Sequence, residues 1–433
     1  MRELIRQKII DSISAPLPAF TRRDVHLPGI ANKATAVIGM RRTGKTTFLW
    51  QVLADRIKEG ISREGLLFFG FEDERLAGMT SNDLQSIVEE YYRLYPEWRD
   101  KKTAVFFLDE IQAVPGWETF VRRILDTERV EIFISGSSAR LLSREVATNM
   151  RGRAAEALVH PFSFREFLRH RRKEPLAPAD RLTKAARSAV EKGLADYLIC
   201  GGFPEAQHAE IRDRYELLRG YVDAVLFRDV VERHSVTHVA ALRWMIRQLL
   251  GNAGGLFSVN RFYNDIKSQG LSVSKDTLYD YFSYLEDTFL IRAVSVFSRS
   301  ERRRMVNPRK VYPIDPGLIP VFDRTGQANS GHALETAVML ELERRGAEIF
   351  YVKTASGYEI DFFAQYPEGR EELIQVCAVL DDPGVRAREA RALIDAAREH
   401  PRAEKIIITL HPESAPEMPA GIAVQSAAEW LLS

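Results

Sequence analysis

The run Gly39-Met-Arg-Arg-Thr-Gly-Lys-Thr-Thr47 constrains this chain more than any other stretch, because it fits G-x-x-x-x-G-K-[ST] with Gly39, Gly44, Lys45 and Thr46 at the fixed places. Glycines let the backbone take positive φ and come close to a polyphosphate, so that successive N–H groups and the next helix N-terminus face the anion. In such a loop Lys45 reaches the β and γ phosphates as a point charge, and the Thr46 hydroxyl ligates Mg²⁺. Arg42, Thr43 and Thr47 complete the cradle expected for ATP. The flanks agree with this reading. Thr35 to Gly39 is a short apolar strand, and Phe48, Leu49, Val52, Leu53 and Ile57 recur at helical spacing after it.

Downstream, Gly65 to Phe71 reads as a buried strand and Asp83 to Arg93 as a helix. The apolar strand Thr103 to Glu110 then ends in two carboxylates, which places Asp109 to hold the Mg²⁺ water shell and Glu110 to polarise an attacking water. The next strand, Val130 to Ser135, runs into Gly136-Ser-Ser138. At the C-terminal edge of an open parallel sheet, where ligands sit, Ser135 or Ser137 can sense the γ phosphate or orient the water. The alternative is that these serines cap a helix beginning near Ala139. After it come Arg151-Gly-Arg153 and an apolar strand, Ala154 to His160. This order of strand, polar end, helix, arginine and strand resembles the AAA+ ATPases, in which an arginine at that point reaches the nucleotide of the neighbouring subunit. The resemblance implies that Arg153, or Arg151, is an arginine finger and that the protein works as a homo-oligomer.

With 433 residues, 45% hydrophobic and 28% charged, the chain can bury large cores and should split into about two to four domains. Its two cysteines, Cys200 and Cys377, form no C-x-x-C and indicate neither a disulfide framework nor a zinc site. No apolar run approaches the ~20 residues of a membrane span, so a cytoplasmic protein without a membrane partner is expected. The formal net charge of +1 conceals an asymmetry. Residues 240–312 carry 12 Lys+Arg against 6 Asp+Glu, whereas residues 331–433 carry 10 against 18.

Residues 161–239 read as helical, from Pro161-Phe-Ser-Phe164 through Arg187 to Ile199 and Asp213 to Arg233, with a turn at Cys200-Gly-Gly-Phe-Pro-Glu205. This segment looks like the helical lid of an AAA+ module. Between residues 240 and 325, helices at Arg243 to Leu250, Val259 to Lys267 and Ser274 to Asp287 precede strands at Phe289 to Phe297 and Lys310 to Ile314. Three helices followed by a basic hairpin make a winged helix-turn-helix, with Arg299, Arg302, Arg303 and Arg304 in the connecting loop and Lys275 on the third helix as DNA contacts. Clustering of arginine in the wing favours reading of DNA backbone or shape over a sequence code. Winged helices also dock proteins, and the third helix carries Asp276, Asp280, Glu286 and Asp287 beside its one lysine.

Residues 331–433 alternate helix and strands in a way that resembles the restriction-endonuclease-like α/β fold. The resemblance assigns Glu335, Asp361 and Gln375 to the metal site of such enzymes, but Cys377 stands where their lysine belongs. A neutral thiol neither activates water nor offsets phosphate charge, so this domain is expected to be a vestigial, inactive nuclease. Over nearly its whole length the chain is similar to a large family of prokaryotic ATPases that join an AAA-type core to a winged helix and a restriction-endonuclease-like domain. The resemblance rests on Gly39 to Thr47, Phe107 to Gln112, Gly136-Ser-Ser138, Gly152-Arg153, Gly201-Gly-Phe-Pro204, Asn307 to Tyr312, Asp315-Pro-Gly317 and Glu359-Ile-Asp361. The expectation is therefore an α/β P-loop NTPase of AAA+ type over residues 1–160, with lid, winged helix and vestigial nuclease after it. It would use ATP and Mg²⁺ and couple hydrolysis to DNA, with a protein-regulating switch or an ATP-dependent nuclease as alternatives.

Overall fold

Five short apolar segments near the N-terminus pair in parallel: β1 (Ala34–Ile38), β2 (Leu66–Gly70), β3 (Ala104–Asp109), β4 (Val130–Ser135) and β5 (Ala154–Leu158), in the order β2-β3-β4-β1-β5. The computed structural model describes residues 1–136, 150, 152–306, 308–323, 330–412 and 418–433. β1 and β3 are buried at every position, as a parallel sheet covered on both faces requires. Helices α1 (Arg2–Ser14), α2 (Lys45–Lys58), α3 (Ser81–Leu94) and α4 (Trp117–Thr127) accompany the sheet. α1 exists because Ile5, Ile9 and Ile13 repeat every fourth residue and bury one face against β2 and α3. α2 packs Phe48, Leu49, Val52 and Leu53 on Val37, Phe107 and Phe133. Phe107 and Phe133 stack with their centroids 5.1 Å apart, and burying either ring contributes about 1.5–3 kcal/mol. Since β4 lies between β1 and β3, the C-terminal ends of these three strands stand side by side. That edge carries the phosphate-loop motif, Asp109 and Ser135.

The chain divides into two compact units, Met1–His160 with Asp287–Phe289, and Pro161–Glu286 with Leu290–Ser433. In the second, the expected helical segment consists of α5 (Phe164–His170), α6 (Lys184–Cys200) and α7 (Ile211–Ala224), the last running on into a seven-residue π-helical stretch, Val225–Val231. Next come α8 (Val239–Gly251), the short strand β6 (Leu256–Phe257), α9 (Val259–Ser268) and α10 (Lys275–Asp287). Strands β7 (Ile291–Val296) and β8 (Arg309–Pro313) are antiparallel, and β6 pairs with the far side of β8.

Two expectations change here. The arginine-rich stretch between β7 and β8 is not an open wing loop, since Glu301–Val306 forms a helix, α11. Its residues are good helix formers, and Glu301 pairs with Arg304 one turn on. The break expected near residues 325–331 does not interrupt the sheet. β7 pairs in parallel with β9 (Glu348–Lys353) through Ser295 opposite Phe350, which joins β6, β7 and β8 to β10 (Glu359–Gln365), β11 (Glu371–Val376), β12 (Glu404–Thr409) and β13 (Ile422–Ser426) in one mixed sheet. Helices α12 (Ser330–Arg344) and α13 (Pro383–Glu399) pack on it.

The turn at Gly201-Gly-Phe-Pro204 and the distant Asp315-Pro-Gly317 form one lock. The buried Asp315 carboxylate accepts the N–H of Gly202 at 2.5 Å and that of Gly317 at 2.9 Å. Gly202 also accepts the Phe162 N–H at 2.7 Å, and a Cβ at either Gly201 or Gly202 would overlap Asp315 or the Phe162 carbonyl. Burial raises the Asp315 carboxyl from 3.8 to about 7, although both N–H groups favour its charged form. An acid whose folded pKa exceeds its unfolded one favours folding while protonated, and that contribution erodes as pH rises between the two values. Stability should therefore fall between about pH 4 and 7 by an amount on the order of 4 kcal/mol from this group. Comparing urea unfolding of the wild type with Asp315→Asn across that range should show the pH-dependent part missing from the variant. The variant should also be weaker at low pH, because its amide offers only one acceptor to two N–H donors.

Candidate nucleotide-binding site

The loop joining β1 to α2 takes the shape its glycines allow. Gly44 is left-handed at φ 95°, and Gly39, at φ 144°, lies so close to the carbonyl of Val159 that no Cβ could be accommodated. Arg42 is also left-handed, at φ 68°, on the exposed outer turn. α2 begins at Lys45 with no side chain capping its first N–H groups, which leaves that helix end open to an anion. Lys45 is buried, and its Nζ donates to the carbonyls of Gly39 and Met40 at 3.0 and 3.1 Å. Thr43, fully buried, ties the loop by donating from Oγ1 to the Met40 carbonyl. Thr46 and Thr47 are exposed on the first turn of α2.

Thr46 Oγ1 donates to Asp109 Oδ1 at 3.3 Å, and Ser135 Oγ donates to the same oxygen. The first turn of α2 and the end of β4 thus converge on the carboxylate that ends β3. Burial raises the Asp109 carboxyl above its usual range, against the pull of the Ser135 and Thr46 hydroxyls. A buried carboxylate beside an exposed threonine hydroxyl is a donor set suited to Mg²⁺, with oxygens only. Thr46 and Asp109 would hold the ion, which would supply charge neutralisation for phosphate oxygens.

Glu110 follows with left-handed backbone, φ 56° and ψ 41°. A non-glycine residue held there stores strain of the kind that gathers at functional sites. It is fixed by its N–H, which donates to Ser135 Oγ at 3.0 Å, and by its carboxylate, which accepts from Gln112 Nε2. Ser135 therefore braces both acids. Of the pair of serines left open by the sequence, Ser135 belongs to this cluster; Ser137, the helix expected from Ala139, and Arg151 lie outside the described residues.

Arg153 stands elsewhere. β5 runs parallel to β1 with Ala154 opposite Ala34 and Leu158 opposite Ile38, so Arg153 sits at the N-terminal edge of the sheet, roughly 20 Å along the strands from the loop. It is paired there with Asp126. One residue escaped sequence reasoning altogether. Arg23 is buried behind the loop, donating to the carbonyl of Thr43 at 2.8 Å and that of His160 at 2.5 Å, while its own backbone is clasped by Gln51. It lies outside the motif and in no regular element, so no local pattern marks it.

The residues assigned to a vestigial nuclease also meet. Asp361 on β10 accepts the N–H of Val376, and Gln375 accepts that of Asp361. Between Asp361 and Glu335 of α12 lies Lys310 of β8, whose Nζ is 2.8 Å from Asp361, 3.1 Å from Glu359 and 3.2 Å from Glu335. Tyr312 donates to Glu335 at 2.7 Å. A lysine is thus present, but it arrives from β8. Cys377, at the expected lysine position, packs beside the apolar core of this sheet and donates to the Val379 carbonyl, and Lys353 is exposed. Burial lowers Lys310's affinity for its proton, but three carboxylates outweigh this and the net shift is upward. Burial and repulsion from Asp361 raise the Glu335 carboxyl. Among the described residues no group of three or more His, Cys, Asp and Glu side chains is arranged to hold a metal ion.

The expected DNA contacts are dispersed. Lys275, Arg299, Arg302 and Arg303 are exposed. Arg304 is folded back, donating to the Ser298 carbonyl at 2.8 Å and lying over the Phe350 ring.

Residues 31–168 match a family described as an AAA domain, and residues 191–328 match a domain of unknown function. An uncharacterized protein of Methanocaldococcus jannaschii is 32% identical over 402 residues, covering 92% of this chain and 86% of that protein. The chain belongs to the family of that protein. An uncharacterized protein of Haemophilus influenzae is 29% identical over 397 residues, with 92% of this chain and 93% of that protein covered. Among solved structures, a Walker-type ATPase of Pyrococcus abyssi is 15% identical with a TM-score of 0.44, over 74% of this chain and 95% of that one. The AAA domain holds the phosphate-loop motif, Asp109, Glu110 and Ser135 together. Among the described residues no helix is long and apolar enough to cross a membrane.

Two substitutions separate the roles at this site. Lys45→Ala should abolish binding of a fluorescent ATP analogue, whereas Glu110→Gln should bind it normally and turn over about 10²- to 10⁴-fold more slowly. At the second cluster, Lys310→Met should cost about 3–5 kcal/mol in urea unfolding by stranding buried carboxylates, and adding Glu335→Gln should restore part of the stability.

Proposed function

We propose that the protein is a Mg²⁺-dependent ATPase that acts as a homo-oligomer and couples ATP binding and hydrolysis to binding or remodelling of DNA, branched or structured rather than specific in sequence. The observation that carries the hydrolytic part is the convergence of Lys45, Thr46, Asp109 and Glu110 at one sheet edge with Ser135 between the two acids. ATP and Mg²⁺, when bound, supply the phosphoryl group and the counter-charge. Lys45 would exchange its two carbonyl partners for phosphate oxygens, and the open N-terminus of α2 would complete the cradle. Glu110, aimed by Ser135 and Gln112, would orient water and accept its proton. Arg23 would brace the loop from behind.

The homo-oligomer in this reading rests on Arg153 acting as a finger. At the opposite sheet edge it cannot serve its own nucleotide, so a finger role requires a neighbour's, with release from Asp126. Residues 161–239 would act as the lid. DNA coupling draws on the +6 balance of residues 240–312 and the exposed Arg299, Arg302 and Arg303. In this reading the Lys310 cluster is a vestigial nuclease site whose cation position is filled by an ammonium group. A nucleotide-gated switch that docks a protein is the second reading, favoured by the acidic face of α10 and by the tethering of Arg304.

Steady-state ATP hydrolysis with single-stranded, duplex and four-way-junction DNA tests the coupling. Stimulation by one form that disappears at high salt is expected; indifference to every DNA favours the switch. Arg153→Ala should suppress turnover by about 10³- to 10⁵-fold and be partly rescued by mixing with Glu110→Gln subunits. Failure of that rescue would remove the trans role.

A further inference from the structure

A cleft of about 1090 Å³ opens in the second unit between α7, the π-helical stretch that follows it, and α8. α8 is amphipathic in an unusual way. Its inner face buries Leu242, Met245, Ile246, Leu249 and Leu250, while its outer face presents Arg243, Trp244, Arg247 and Gln248, and the helix contains no carboxylate at all. Arg243 and Arg247 are one turn apart on that face, and Arg219 of α7 lines the same cleft. Among the described residues none of these three arginines forms an ion pair. Asp223 and Asp323 are the acids of the lining, so it keeps a positive excess.

The aromatic groups give the cleft its character. Trp244 is 37% exposed on the cleft wall, and Phe227, in the π-helical stretch but outside the lining, is exposed to the same extent. The Arg243 guanidinium lies over the Phe227 ring, 5.0 Å from its centroid. Trp244 meets the buried Phe262 edge-on, with centroids 6.4 Å apart, and keeps the rest of its ring accessible; π-helical turns are rare and frequent at functional sites. Arginines without ion-pair partners beside an exposed indole are a combination that holds a single nucleic-acid strand, since phosphates follow the charge and every base has a face to stack. A duplex hides those faces between its own base pairs. The volume exceeds the ~300–1,000 Å³ usual for small-molecule sites, which suits an extended chain.

We propose that this cleft binds single-stranded nucleic acid, with phosphates on Arg219, Arg243 and Arg247 and a base stacked on Trp244. The inference rests on the reading of the protein as a DNA-coupled ATPase, and it moves the principal contact from the arginines of α11 to the face of α8.

The test is fluorescence anisotropy of a labelled oligo-dT with the full-length protein at several salt concentrations. Trp244→Ala should weaken binding about five- to over a hundred-fold, whereas Trp244→Phe, which keeps a stacking face, should retain most of it. Arg243→Ala with Arg247→Ala should also flatten the salt dependence, by about 0.7 in log–log slope for each phosphate no longer neutralised. Hydrolysis without nucleic acid and the thermal midpoint should not change, since all three side chains are exposed. A bromouridine-substituted strand should cross-link within residues 239–251. Wild-type binding that survives all these substitutions, or cross-links confined to residues 299–304, would overturn the cleft while leaving the DNA-coupled ATPase standing. Equal weakening in Trp244→Ala and Trp244→Phe with a lowered melting point would assign Trp244 to folding and overturn its role. Absence of binding and of stimulation by any DNA would overturn both.

Discussion

The loop that carries the phosphate-loop motif is a tightly curved run of backbone polar groups, and a buried arginine braces it. Arg23 bonds the carbonyls of Thr43 and His160 at once, linking the loop to the end of the strand beside it, and Gln51 clamps the arginine's own backbone from α2. Hydrogen bonds from a charged donor to buried carbonyls are worth more than neutral ones, about 1.5–3 kcal/mol each. The loop is thereby preorganised, and the entropy of ordering it is met during folding rather than on binding.

The same economy governs the acids. β4 between β1 and β3 brings Ser135 next to Asp109, and one hydroxyl group then serves two purposes. It donates to the Asp109 carboxylate and accepts the N–H of Glu110, whose left-handed backbone would otherwise be hard to maintain. The positions of two neighbouring acidic residues are set by a neutral residue bonded to both. The strand ends supply rigid mounts, and the chemistry sits where they meet.

In the second unit charge is handled differently. Lys310 stands among Glu335, Glu359 and Asp361, one ammonium against three carboxylates, and burial together with repulsion from Asp361 raises Glu335. Breaking such a cluster at its lysine is costly because the carboxylates it leaves behind have no buried counter-charge. It ties β8, β10 and α12 together across the point where the sequence suggests a division. Asp315 does the same for the Gly201-Gly202 turn, so that two motifs far apart in the chain are halves of one contact.

The phosphate loop, the paired acids, the parallel strands and the helices of the first unit are legible in the sequence because each depends on local spacing: glycines at fixed positions, apolar runs of strand length, carboxylates at a strand end. Glu335, Asp361 and Gln375 are likewise found by their place in a pattern. Lys310 is not, because it comes from a strand 25 residues before Glu335, and a lysine missing from one strand can be supplied by another only in three dimensions. Arg23 is hidden for the same reason. The arginines of residues 299–304 read as a loop when charge is weighed before helix propensity, and the helix α11 reverses that order. What the sequence determined by itself is the set of chemical groups and the elements that carry them. Which of those groups become neighbours was decided by strand order and by burial, since electrostatic and hydrogen-bonding partners are chosen by distance in space.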